Sequence, residues 1–156
     1  MEINELEARI QMLKDKNNTV AFKALQELEQ ISDETGALYG YTGEFADMIG
    51  SENYGVRVRG FRLFCRQAKW DKDNVIDENI DTALRILKDD KPTAVRQALA
   101  ALADVVRFKP DLRETVRSAV SNINYLRYKD TMHSLIAKDI QELLLMIQAL
   151  ELGNGV

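Results

Sequence analysis

Apolar residues return along this chain three or four positions apart, and the rhythm breaks at regular places. Leu6, Ile10 and Leu13 share one face of a helix predicted over 3–14. Ala24, Leu25 and Leu28 mark the next helix, and Phe45, Met48 and Ile49 end a shorter one near 41–49. Phe61, Leu63 and Phe64 follow in a further helix, and Ile80, Ala83, Leu84 and Leu87 mark 75–88. A helix over 93–107 has the clearest start, because Pro92 and Thr93 follow the acids Asp89 and Asp90. DLRETVRSAVSNI predicts a helix over 111–123, and Ile136, Ile140, Leu143, Leu144 and Ile147 predict one over 132–150. No Asn-Gly or Asp-Gly turn lies between alternating strands, so a sheet is not expected. The fold class is all-α: one domain, 1–156, of four helix pairs at 3–33, 38–70, 75–108 and 111–150, with a frayed tail over 151–156.

The pairs repeat. MLKDKNNTVAFKALQELEQI, MIGSENYGVRVRGFRLFCRQA and ILKDDKPTAVRQALAALADVV each close one helix, cross a polar turn and reach a valine. Those valines, Val20, Val56 and Val95, are 36 and 39 residues apart. Apolar or small residues recur at plus four, five and eight: Ala24, Leu25, Leu28; Gly60, Phe61, Phe64; Leu99, Ala100, Ala103. A polar turn, then Val-Arg, then an Ala/Leu-rich helix resembles the HEAT repeat, with Val95-Arg96 and Val56-Arg57 carrying the match. The resemblance implies an armadillo-like α-solenoid, a right-handed superhelix of stacked hairpins, and it specifies a fold and not an activity. RVRGFRLFCRQAKWD and DDKPTAVRQALAAL are also similar to small bacterial proteins labelled "SufBD". That label implies iron–sulfur assembly, a chemistry that one cysteine and the lack of a ligand cluster do not support.

In such a stack an interior helix touches its own partner and its equivalents on both flanks. This accounts for the nearly apolar helix 93–107, expected to be buried on three sides. Arg57 and Arg96 fall within the apolar arcs of their helices and are read as structural arginines, with Asp89, Asp90 and Glu52 in the preceding turns as partners.

Outward positions follow at plus three, six and ten from each aligned residue. They give Lys23, Gln26, Gln30; then Arg59, Arg62, Arg66; then Ala98, Ala101, Val105; and, aligned at Ile136, Asp139, Glu142, Met146. The candidate partner-binding face is therefore Arg59, Arg62, Arg66 and Lys69 beside Ala98, Ala101 and Val105: a shallow apolar strip between cations and acids. The expected function is a non-enzymatic scaffold that binds a protein or peptide. Nucleic-acid binding is the second reading. A HEAT-like glycosylase for alkylated bases is the third, with Trp70-Asp71 and Tyr54 as the nearest counterparts of its aromatic and carboxylate residues.

Composition narrows the classes. The net charge of −4 argues against nucleic acid as the main partner, yet it is unevenly spread: residues 53–70 hold five cations and no acid. Cys65 and His133 are the only residues of their kinds, so no disulfide, zinc set or nucleophilic dyad is expected. Cys65 reads as core and His133 as a polar helix-start residue. Tyr39, Tyr41, Tyr125 and Tyr128 fall near helix junctions and read as packing. No cofactor or catalytic residue is indicated. MEINELEARI resembles neither a secretory signal nor a mitochondrial presequence, no stretch approaches a bilayer span, and a cytoplasmic location is expected.

Overall fold

The computed structural model describes residues 1–153. Eight α-helices and no strand occur among these residues: α1 (Ile3–Met12), α2 (Asn18–Glu34), α3 (Thr42–Met48), α4 (Tyr54–Arg66), α5 (Val75–Ala83), α6 (Pro92–Phe108), α7 (Arg113–Ser121) and α8 (Asp130–Gly153). The helix expected over 75–88 is divided, its last turn tightening to a 3-10 turn at Leu84–Lys88. Helix α8 continues past 150 through Gly153, so residues 151–153 are not the frayed tail expected; 154–156 lie outside the described residues. No helix among the described residues is long and apolar enough to cross a membrane.

Helix starts follow from local chemistry. The Asn17 side chain accepts hydrogen bonds from the Thr19 and Val20 amides, at 2.9 and 3.3 Å, and Asn53 accepts one from Val56 at 3.2 Å. Helix α6 has no side-chain cap; Pro92, at its first position after Lys91, presets the helical φ and lacks an amide that would have no intrahelical partner. At α5 the Asp71 carboxylate accepts from the Val75 and Ile76 amides, at 2.9 and 3.1 Å. Asn74 turns the chain there in the left-handed region, φ 59°, which asparagine tolerates.

The even-numbered helices are neighbours in chain order, α2 against α4, α4 against α6, α6 against α8, while α1 packs on α2, α3 on α4, and α7 on α6 and α8. One core cluster runs through all of them, from Leu6 to Ile147, with Phe45, Phe61, Phe64, Leu102 and Ile136 fully buried. Helices α3 and α4 approach closely at Gly60. A Cβ there would lie 2.5 Å from Met48 Cβ and 2.7 Å from the Phe45 carbonyl oxygen.

Helix ends are tied to the next pair by donors from later in the chain. The Ser32 and Asp33 carbonyls near the end of α2 accept from Trp70 Nε1 at 2.7 Å and Lys69 Nζ at 2.8 Å. After the fifth helix the Lys88 carbonyl accepts from Arg127 at 2.8 Å, and the Asp89 carbonyl accepts from the Tyr128 hydroxyl. Buried Lys109 fixes the region between α5 and α6: its ammonium lies 2.8 Å from Asn74 Oδ1, 2.8 Å from Asp77 Oδ1 and 3.1 Å from Asp71 Oδ2. Tyr39 donates to Asp71 at 2.7 Å, so the tyrosine at the first junction reaches the second.

The three aligned valines do not share an environment. Val56 and Val95 are buried, but Val20 is 37 % exposed. The helix starts give a better frame: Asn17, Asn53 and Lys91 precede α2, α4 and α6, and three residues on stand Val20, Val56 and Ala94, not Val95. The valine frame is thus one residue late on α6, a rotation of about 100° in a helix of 3.6 residues per turn.

Candidate functional site

Helix α4 is enclosed by neighbours and opens to solvent mainly along Arg62 and Arg66. Helix α6 is less enclosed than its composition implies. Ala94, Val95, Ala98, Leu99, Leu102, Val105 and Val106 are buried, whereas Thr93, Gln97, Ala100 and Arg107 are exposed. With the frame corrected by one residue, the outward row on α6 is Gln97, Ala100 and Asp104. Ala98 and Val105, expected on the candidate face, are therefore core residues; Ala101 is half-buried and keeps its place at the edge of the face.

Arg59 is a second correction. Its side chain turns inward, is 8 % exposed, and donates from Nε to the Leu13 carbonyl at the end of α1 at 2.8 Å. Burial without a carboxylate partner holds its guanidinium below the usual range. Arg59 joins the first and second pairs and does not face a partner.

Arg62 and Arg66 do reach the surface, but carboxylates of this chain already hold them. Arg62 grips Glu29 of α2 with two nitrogens, at 2.7 and 3.1 Å, and donates to Gln97 of α6 at 3.0 Å. Arg66 donates to Asp33 at 2.9 Å and lies 3.5 Å from Glu29 and 3.7 Å from Asp104. Lys69 is exposed, with its ammonium 5.0 Å from the Trp70 ring centre. Of the five cations of 53–70, Arg57, Arg62 and Arg66 thus meet acids 32 or 33 positions away in the chain, while Arg59 and Lys69 donate to backbone carbonyls.

The arginines of the Val-Arg motifs pair across helices as well. Arg57 donates to Asp89 at 2.7 and 3.1 Å and to the Ser51 and Glu52 carbonyls, both at 3.0 Å. Arg96 finds its partner on α8, not in the turn before α6, donating to Asp139 at 2.6 and 3.3 Å. Asp90, expected as a partner for these arginines, pairs with Arg127 instead.

Two adjoining hollows follow from this arrangement. One, of about 370 Å³ between α4 and α6, has Arg62, Arg66, Glu29 and Asp104 at its sides. The other, of about 510 Å³ between α6 and α8, is walled by Thr93, Arg96, Asp139 and Glu142 and floored by Leu99, Leu143 and Met146. Gln97, Ala100 and Ala103 line both. The result is a trough across α6, whose two small side chains keep the ridge between the hollows low. Asp139, Glu142 and Met146 stand where the outward row places them. Gln97, Ala100 and Asp104 were missed as outward residues because of the one-residue frame error, and the spacing of the helix starts is the signal that recovers them.

The remaining candidates resolve structurally. The Asp71 side chain is fully buried and spent on the α5 amides, Tyr39 and Lys109, which does not suit the glycosylase carboxylate. Tyr54 is exposed, with the Lys91 ammonium 5.5 Å from its ring centre. Cys65 is buried, and that burial pushes its thiol well above the usual range. His133 Nε2 donates to the Tyr128 carbonyl at 2.8 Å, and its ring meets the Tyr125 ring edge-on. Among the described residues no group of three or more His, Cys, Asp or Glu side chains is placed to hold a metal ion. No protein-family model, curated protein or solved structure matches the chain.

Proposed function

We propose that this chain is a non-enzymatic binding module: a single HEAT-like domain of four hairpins in a right-handed solenoid, holding a protein or peptide segment in the trough across α6. The succession α2–α4–α6–α8, each helix beside the next, supports the solenoid reading. The trough supports the binding reading, and the low ridge at Ala100 and Ala103, shared by its two hollows, is the observation that carries it. An apolar floor between polar walls suits a helix or extended segment that buries a few side chains and orients through its rim. The arginine row favours this reading over a nucleic-acid one, since Arg62, Arg66 and Arg96 already face carboxylates and have little positive field left for phosphates.

The test is selection from a displayed random-peptide library on the immobilised full chain, with Ala100→Trp as the blocked counterpart. Enriched peptides bind the wild type and lose binding to the variant. Enrichment indifferent to the variant refutes the trough as the site. Duplex or single-stranded DNA retained with a steep loss on adding salt replaces the reading with nucleic-acid binding.

A further inference from the structure

The trough is acidic, although its sequence reads as basic. Arg62, Arg66 and Arg96 line it, against Glu29, Asp104, Asp139 and Glu142. Two of those acids are held by arginines: Glu29 by Arg62 and Arg66, and Asp139 by Arg96. The other two accept no hydrogen bond from the described residues. Asp104, its side chain 22 % exposed, receives no hydrogen bond among the described residues, and its ion-pair neighbour Arg66 stays 3.7 Å away. Glu142 is open to solvent, with Lys138 of its own helix at 3.8 Å.

A half-buried carboxylate without a donor is costly to maintain, because it has lost water and gained no equivalent. Burial pushes the Asp104 carboxyl above its usual range; the charges of Arg66 and Arg107 oppose the rise, and those of Asp33 and Glu29 add to it. The acids stand on opposite sides of the low ridge formed by Ala100 and Ala103, Asp104 in the α4–α6 hollow and Glu142 in the α6–α8 hollow.

We infer that the segment held in the trough is basic: an apolar stretch crossing Ala100 and Ala103, with lysine or arginine side chains reaching Asp104 on one side and Glu142 on the other. This rests on the trough being the binding site. An incoming ammonium or guanidinium gives Asp104 the donor it lacks, and a charge-assisted bond in a partly dried hollow is stronger than one in water. An acidic segment meets repulsion instead, since the arginines that line the trough, Arg62, Arg66 and Arg96, are already engaged.

Amphipathic helical peptides of leucine and lysine are the probes, with counterparts carrying glutamate or glutamine in place of lysine, titrated against the full chain by fluorescence anisotropy. The leucine–lysine peptide binds and the glutamate peptide does not. The double variant D104N/E142Q weakens the lysine peptide by about tenfold or more. E2Q/E78Q removes the same charge elsewhere and changes binding by less than about twofold at physiological salt. A100W abolishes binding, with Gln97→Trp as a second blocking variant, and each variant is first shown to melt cooperatively. Binding lost in A100W but indifferent to D104N/E142Q, or equal for the glutamine peptide, overturns the charge inference and leaves the trough as the site. Binding undiminished by both blocking variants overturns the two together. No binding of the lysine peptide to the wild type overturns the charge inference.

Discussion

Replacing Gly60 with alanine sets two effects of opposite sign against each other. Helix propensity alone favours alanine by about 0.8–1 kcal/mol. Packing opposes it, because the new methyl would stand 2.5 Å from Met48 Cβ and 2.7 Å from the Phe45 carbonyl oxygen. Comfortable carbon contacts are about 3.5–4.0 Å, so relief needs a shift of roughly 1 Å. Neither obstacle is a flexible side-chain tip, and α3 must therefore move bodily away from α4. Overpacking of this kind costs about 1–3 kcal/mol, and the fixed obstacles place Gly60→Ala at the upper end. The net expectation is a loss of about 2 kcal/mol, or a melting temperature lower by about 4–8 °C for a chain of this size. Calorimetry or denaturant unfolding measures it. Gly43→Ala is the control: it lies in α3 with nothing within 4 Å of the new methyl, and it is expected to be neutral or stabilising. A G60A protein that melts at or above the wild type refutes the close-approach argument.

Lys109→Met leaves the buried Asp71 and the half-buried Asp77 without their cation, and denaturant unfolding is expected to show a loss of about 3–5 kcal/mol. Asp104→Asn removes a carboxylate whose folded pKa lies above its unfolded value, so the variant is expected to be more stable than the wild type at neutral pH. That advantage shrinks as pH falls through the raised pKa, and melting temperature against pH reads both features. Asp89 has the opposite sign: burial pushes its carboxyl up, but hydrogen bonds from Arg57 and the Lys91 amide and the charges of both residues hold it below the usual range. Its contribution is complete above the unfolded value of about 3.9 and is lost as pH falls through the folded one, so Asp89→Asn is expected to flatten the acid limb of the stability profile.

Element identity was legible because amphipathic spacing is local. The start of α6, and the face carrying Ala24, Leu25 and Leu28, follow from residues within a few positions of one another. Facing was less secure. Taking Val95 instead of Ala94 as the counterpart of Val56 turned α6 by about 100°, which put Ala98 and Val105 outside, set Ala100 in the apolar pattern and left Asp104 unassigned. The arginines were hardest, since their environment depends on where other helices lie. Nothing near Arg59 in the chain announces the Leu13 carbonyl, and nothing near Arg62 announces Glu29. Residues 53–70 read as a cationic patch because neutralisation by α2 is a property of the assembled layers and not of the segment.

The two walls of the α6–α8 hollow differ in mechanical support. Helix α6 is braced by α4 on one flank and α8 on the other, whereas the buried side chains of α8, Ile136, Leu143 and Ile147, all point to one flank. The hollow therefore has one wall packed on both flanks and one whose buried residues share a single face. Amide exchange is accordingly expected to be faster along α8 than along α6, and hydrogen-exchange mass spectrometry measures the difference.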